Sequence, residues 1–189
     1  MRRPQARVKL APNMRPRLAI LGSITFLFVA PGFVAGVVPF WLTHWRFQPP
    51  LLGLDFLRLI GAALILFGGV IVLDSFGRFA FQGGGTPAPV LPTKHLVVTG
   101  LYRYVRNPMY VGVVAAILGQ GLLFANKNTL VYGGLVWLAF HLFVVFYEEP
   151  TLRGTFGREY ETFSGNVRRW IPRVRPYGEL RNSTGSDSA

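Results

Sequence analysis

The sequence predicts an all-α, polytopic membrane protein of about four transmembrane helices, with a polar pocket at its cytoplasmic end formed by the middle loop and the C-terminal segment. Three observations lead there. Of 189 residues, 51% are hydrophobic and only 15% charged, whereas soluble domains carry about 25% charged residues. The apolar residues gather into four stretches, 18–42, 54–73, 110–125 and 129–147. Basic residues crowd both termini and the middle loop and avoid the two short hairpins.

Residues 1–17 form a basic arm with Arg2, Arg3, Arg7, Lys9, Arg15 and Arg17, too polar to fold alone. The first span is longer than the 7–15 residue apolar region of a signal peptide, and further spans come after it. Pro31, Gly32 and Gly36 predict a kink in it that neighbouring helices must satisfy. The second and fourth spans reach the 17–25 residues needed to cross a bilayer, and the third is a short or tilted helix of about 16 residues. Arg46 and Lys127 stand nearly alone in the hairpins, while Arg78, Lys94, Arg103 and Arg106 mark the middle loop. Arg153, Arg158, Arg168, Arg169, Arg173, Arg175 and Arg181 come after the last span. The positive-inside rule then places both termini and the middle loop in the cytoplasm, and the expected location is the plasma (inner) membrane. A net charge of +12 would by itself suit nucleic acid, but this loop-by-loop distribution fits membrane orientation and anionic lipid headgroups instead.

The middle loop, 77–99, is rich in glycine and proline. Its Gly83-Gly84-Gly85 run lacks the spacing and the preceding strand of a phosphate-binding loop. Beyond the fourth span, residues 151–163 read as one amphipathic helix with Leu152, Phe156, Tyr160 and Phe163 on a single face. The domain organisation is thus a basic arm (1–17), an integral-membrane domain (18–177) with its chemistry in 94–172, and a polar tail (178–189). There is no cysteine, which excludes disulfides, thiolate metal sites and a cysteine nucleophile. Asp74, Glu148, Glu149, His95 and His141 show no metal-motif spacing, so no metal is expected. His141 lies inside the fourth span, two turns before Glu148 and on roughly its face; it is either functional or a satisfied interhelical hydrogen bond.

Glu148 and Glu149 stand where the fourth span leaves the membrane, and paired carboxylates there need cations. Arg103 and Arg106, just before the third span, lie on the same side. The pair is either a structural ion cluster or the wall of a pocket in which a carboxylate holds a cationic ligand and an arginine an anionic one.

The string from His95 through Gly100-Leu101-Tyr102-Arg103-Tyr104-Val105-Arg106-Asn107-Pro108-Met109-Tyr110 to Gly112, then Glu148-Glu149, then Phe156-Gly157-Arg158-Glu159-Tyr160, resembles the isoprenylcysteine carboxyl methyltransferase family, related to the integral-membrane phospholipid methyltransferases. The resemblance covers about 94–172. It implies methyl transfer from S-adenosylmethionine to a lipophilic acceptor, an isoprenylcysteine-like carboxylate or, alternatively, a phospholipid amine or a small thiol. It implies cofactor binding by His95, Leu96, Val97, Val98, Gly100, Tyr102, Arg106, Asn107, Pro108, Met109, Tyr110 and Glu148, with Arg106, Glu148 and Glu149 at the chemistry. Two positions depart from the family. Asn107 stands where a histidine is frequent, and asparagine does not titrate near neutral pH. Val144 stands where the eukaryotic enzymes carry an arginine that engages the substrate carboxylate. The competing expectation is a membrane scaffold or transporter subunit, for which mid-span polar residues such as Gln120 and His141 would be the working parts.

Overall fold

The computed structural model describes residues 28–81, 96 and 98–178. The basic arm, residues 18–27 of the first span, the glycine triplet, His95, Val97 and the tail from 179 lie outside the described residues. Every regular element among those described is helical. A π-helical segment, Phe28–Val37, runs into α1 (Val38–Thr43). A 3₁₀ turn at Leu51–Gly53 precedes α2 (Phe56–Phe81), and another at Gly100–Arg103 precedes α3 (Pro108–Leu123). Then come α4 (Lys127–Phe143), a π-helical turn (Val144–Glu148), α5 (Glu149–Phe156) and α6 (Arg158–Asn166).

Two helices are long and apolar enough to cross a bilayer, Phe56–Arg78 and the continuous run Lys127–Phe156. In the most apolar part of each, only 17% of residues are buried. The core helix of a soluble protein would be mostly buried; here Leu66, Phe67 and Leu73 on α2 and Leu135, Leu138 and Leu142 on α4 face outward, as a lipid environment allows. The helices at 31–43 and Pro108–Leu123 are apolar but shorter.

α2 and α3 make the most extensive packing in the molecule, and glycine makes it possible. A Cβ on Gly61 would sit 2.6 Å from the Gly119 carbonyl oxygen, and one on Gly68 2.5 Å from that of Gly112. Each helix therefore carries two glycines seven residues apart, matched in antiparallel order, and the backbones touch as small residues permit in membrane helix pairs. Val72, Phe76, Met109, Val113 and Ile117 fill the seam toward the Glu148 end.

Pro31, Gly32 and Gly36 lie in the π-helical segment, and a freed carbonyl of the first span results from Pro39, which follows them. Pro39 has no N–H to offer the Ala35 carbonyl four residues earlier. Gln120 Nε2 donates to that carbonyl at 2.6 Å, and the Tyr132 hydroxyl donates to the Val34 carbonyl at 3.0 Å. Gln120, a candidate transport residue by sequence, is thus committed to mending a broken helix. At the hairpin end, Asn126 caps α4 by accepting from the Thr129 N–H at 3.0 Å and ties it to α1 by donating to the Leu42 carbonyl at 3.0 Å.

The segment after the fourth span differs from expectation. The single helix over 151–163 is broken into α5 and α6 at Gly157, whose φ of +51° suits glycine. Its apolar face survives the break: Tyr160, Phe163 and Val167 are buried, with Leu152, Phe156, Leu96 and Val98 packed against them.

Gly68→Ala should lower the unfolding temperature, reflecting an overpacking cost of about 1–3 kcal/mol. Gly69→Ala, where a Cβ meets nothing within 4 Å, should be neutral or stabilise by about 0.5–1 kcal/mol. Thermal melts of the two variants in one detergent test the contrast, and equal effects would refute the seam.

Candidate functional site

The site is assembled at the C-terminal end of α2 and α4. Asp74 and Arg78, one turn apart on α2, pair through two hydrogen bonds of 2.8 and 2.9 Å. The Arg78 guanidinium lies where a Cβ on Gly100 would be, and Gly100 has a φ of +51°. Only glycine meets both conditions, so Gly100 brings the Gly100–Arg103 turn onto the end of α2. Tyr102 is thereby buried, near Ser75 and Glu148, and the loss of solvation pushes its phenol well above the usual range, so it stays neutral.

The backbone after that turn is clasped by a strap from the C-terminal segment. The Arg106 N–H donates to the Arg168 carbonyl (3.0 Å), the Arg173 N–H to the Tyr104 carbonyl (2.9 Å), and the Tyr177 N–H to the Arg103 carbonyl (2.9 Å). Asn107 Nδ2 donates to the Arg169 carbonyl at 3.2 Å. Arg103 Nε donates to the Tyr177 carbonyl at 2.7 Å. Arg103, expected beside the two glutamates, is therefore spent on the strap, because its backbone is pinned there at the same residue.

Glu149 is 5% exposed and takes three cations. Arg169 Nε and Nη2 donate to its two oxygens at 2.6 and 3.1 Å, Arg106 Nη1 stands at 3.2 Å, and Arg153 Nη2 at 3.8 Å. Arg106 Nη1 also donates to the Tyr160 hydroxyl at 3.3 Å, while Arg106 Nε has no hydrogen-bond partner among the described residues. Burial raises the Tyr160 phenol above its ordinary range, so it too remains neutral.

Glu148, one residue earlier, is different. It accepts a hydrogen bond from the Tyr110 hydroxyl at 3.1 Å and forms no ion pair among the described residues. The Tyr110 ring packs on Phe140 with centroids 4.6 Å apart. Pro108 and Met109 are buried at the start of α3; Pro108 occupies the first helical position, where a missing N–H costs nothing. Leu96 and Val98 lie against the Tyr160 cluster. So Gly100, Tyr102, Arg106, Asn107, Pro108, Met109, Tyr110, Glu148 and Glu149 converge, with Leu96 and Val98 alongside.

His141 does not join Glu148. The π-helical turn between them adds a residue to one turn and rotates the chain beyond it. His141 Nδ1 accepts instead from Trp170 Nε1 at 3.1 Å, and its ring stacks on Trp137. No group of three or more metal-ligating side chains occurs among the described residues. An open cavity of about 510 Å³, lined by Gln48, Pro50, Lys127 and Asn128 among others, lies at the opposite end of α4 and holds none of the predicted site residues.

Sequence reasoning misses Arg169, Tyr160 and Trp170. Two carboxylates demanding cations are a usable signal, but the nearest arginines in sequence draw the assignment, and nothing local says that Arg169 folds back. Glu149→Gln should leave Arg106 and Arg169 without a counter-charge and cost about 3–5 kcal/mol, as broken buried pairs do. Glu161→Gln on the exposed face of α6 should leave the melt unchanged. Matching melts for the two variants would remove Glu149 from the framework.

With this geometry in view, comparison with known proteins is specific. The phospholipid methyltransferase family matches residues 57–159. A protein-S-isoprenylcysteine O-methyltransferase of Schizosaccharomyces pombe is 38% identical over 82 residues, 42% of this chain and 34% of that protein. A probable protein-S-isoprenylcysteine O-methyltransferase of Oryza sativa subsp. indica is 35% identical over 77 residues, 41% of this chain and 40% of that one. A phosphatidylethanolamine N-methyltransferase of Phaeosphaeria nodorum is 30% identical over 119 residues, 60% of this chain and 13% of that one. The chain thus aligns with well under half the length of each of these relatives. The family match covers more than half of this chain, from the second residue of α2 to the second of α6, and includes Gly100, Arg106, Tyr110 and both glutamates: the chain belongs to the phospholipid methyltransferase family.

Proposed function

We propose that this chain transfers a methyl group from S-adenosylmethionine to a lipophilic acceptor at the Glu148 end of its helices. The observation that carries the reading is the inequality of two adjacent carboxylates. Glu149 faces three arginines, whereas Glu148 has only a tyrosine hydroxyl among the described residues. A partly buried carboxylate without a cation is costly, and a cationic ligand offsets that cost. The donor set fits this cofactor: a carboxylate for the positive sulfonium or ammonium, and the Tyr102 and Tyr110 rings for cation–π attraction. When bound, the cofactor supplies an electrophilic methyl group, leaving as S-adenosylhomocysteine. The chain's part is positioning, which is most of what an in-line displacement needs. Tyr110 holds Glu148 in place, Gly100 admits the turn that carries Tyr102, and Glu149 fixes Arg106.

Arg106 has an Nε donor without a partner among the described residues, suited to orienting an anionic group of the acceptor. An isoprenylcysteine-like carboxylate is one such acceptor. A phospholipid amine is the second reading, favoured by Val144, a buried apolar residue that offers a carboxylate no counter-charge. In either case the outward apolar faces of α2 and α4 give the acceptor a route from the bilayer. We read the shorter helices 31–43 and Pro108–Leu123 as completing a four-helix membrane domain in the plasma membrane. Both termini and the site then lie in the cytoplasm, in keeping with the positive-inside rule.

Calorimetric titration of detergent-purified protein with S-adenosylhomocysteine and S-adenosylmethionine tests the reading. Glu148→Gln should weaken binding by about 10–100-fold, the worth of a charge-assisted hydrogen bond. A larger loss for S-adenosylmethionine would place the carboxylate at the sulfonium. Unchanged affinity for both ligands in a variant with a wild-type melt would overturn the assignment.

A further inference from the structure

The strap that clasps the site carries an outward face the chemistry does not use. After α6 the chain reads Arg168-Arg169-Trp170-Ile171-Pro172-Arg173-Val174-Arg175. Arg169 and Arg173 turn inward, to Glu149 and to the Asn166 carbonyl. Ile171 is 61% exposed and Val174 96% exposed, with exposed Arg168 and Arg175 on either side. Bare aliphatic side chains between arginines are a poor surface for water and a good one for a headgroup layer, where apolar tips enter and guanidiniums stay with phosphate.

The strap's height along the helices agrees. Trp170 donates to His141 and packs beside Trp137, both on α4. His141 is 14 residues from Lys127, the first residue of α4, or about 21 Å along the axis. A hydrocarbon core is about 30 Å thick. With Lys127 at one boundary, Trp170 and its neighbour Ile171 lie about 9 Å inside the other, within the roughly 5–10 Å to which an interfacial segment buries its apolar side. The Arg168 and Arg169 carbonyls and the Arg173 N–H are hydrogen-bonded to 104–107, and the hydrated headgroup layer can satisfy the strap's other backbone groups.

We propose that residues 168–175 dock into the anionic phospholipid headgroups of the leaflet at the Glu148 end, Ile171 and Val174 entering the layer and Arg168 and Arg175 engaging phosphate. Because Arg169 of this strap holds Glu149, the lipid surface would thereby support the site. The inference stands on the strap's own geometry and does not require the methyl-transfer reading.

The absence of native cysteine makes the test direct. Full-length Val174→Cys carries a nitroxide in bilayers of phosphatidylcholine, with and without phosphatidylglycerol; Gly165→Cys on α6, where a Cβ meets nothing within 4 Å, is the reference. The label at 174 should be accessible to oxygen and protected from a water-soluble nickel chelate, more so with phosphatidylglycerol, while the label at 165 stays open to the chelate. Adding Arg168→Gln and Arg175→Gln should reduce the immersed population about fivefold per arginine removed. A label at 174 as open to the chelate as that at 165 would overturn the proposal. So would immersion indifferent to phosphatidylglycerol and to the two arginines, or spin–spin broadening showing that a second copy covers the strap. Cofactor titration of the same labelled protein reports separately on the site.

Discussion

Everything at the functional end of this molecule depends on one buried carboxylate. Glu149 joins two segments that sequence keeps apart, Arg106 before α3 and Arg169 in the C-terminal strap, and also takes Arg153 one turn on in its own helix. Burying a charge is costly, and mutual attraction offsets that cost only when the geometry is good and the remaining lone pairs are satisfied. The two-pronged contact from Arg169 and the lateral approach of Arg106 supply that geometry. The strap, the turn before α3 and the end of the fourth span are thus locked by a common counter-ion, and the backbone bonds of the strap fall into place with that alignment.

This lock frees its neighbour. Adjacent helical residues diverge by about 100°, so two consecutive glutamates cannot share one set of partners. Glu149 turns to the strap and Glu148 to Tyr110. The π-helical turn adds to the separation by slipping the register between His141 and Glu148, which lets Trp170 take the histidine. Irregular turns of this kind gather at functional sites, and here the irregularity lies directly against the glutamate pair. Each polar side chain thereby has a separate task, and Glu148 is left as the carboxylate without a cation among the described residues.

Much of this is legible in the sequence, and the reasons are physical. Apolar runs and arginine placement mark the helices, because lipid-facing segments are constrained by length and charge alone. Pro31 and the glycines mark a first helix that takes π-helical form, while Pro39, which frees a carbonyl, goes unremarked. Composition cannot reveal which polar group mends the break, since Gln120 and Tyr132 reach it from other helices. Glu148, Tyr110, Arg106 and Gly100 are found through motif resemblance. Arg169 is overlooked because nothing local marks the strap that folds it back, and Arg103, placed by sequence only on the glutamates' side, is held by that same strap. Gly157 illustrates a smaller failure. The apolar spacing across 151–163 correctly marks one face, but that spacing is blind to a glycine that bends the axis and leaves the face intact.

The charge balance of the site also bears on the ligands it can accept. Three guanidiniums surround Glu149, and Glu148 is the second carboxylate close by. The cluster is therefore positive on the Arg106 side and negative at Glu148. A ligand that carries both signs, cation toward Glu148 and anion toward Arg106, matches this polarity without requiring either residue to give up a partner. Under the proposed function, the zwitterionic methionine end of the cofactor has that character, and so does a phospholipid with an amine headgroup. Val144 sharpens the consequence. Because it is enclosed and apolar, an anionic group of the acceptor has Arg106 as its natural counter-charge. Arg106 also answers to Glu149 and Tyr160. Under the proposed function, acceptor recognition and the integrity of this end of the fold are coupled through one guanidinium.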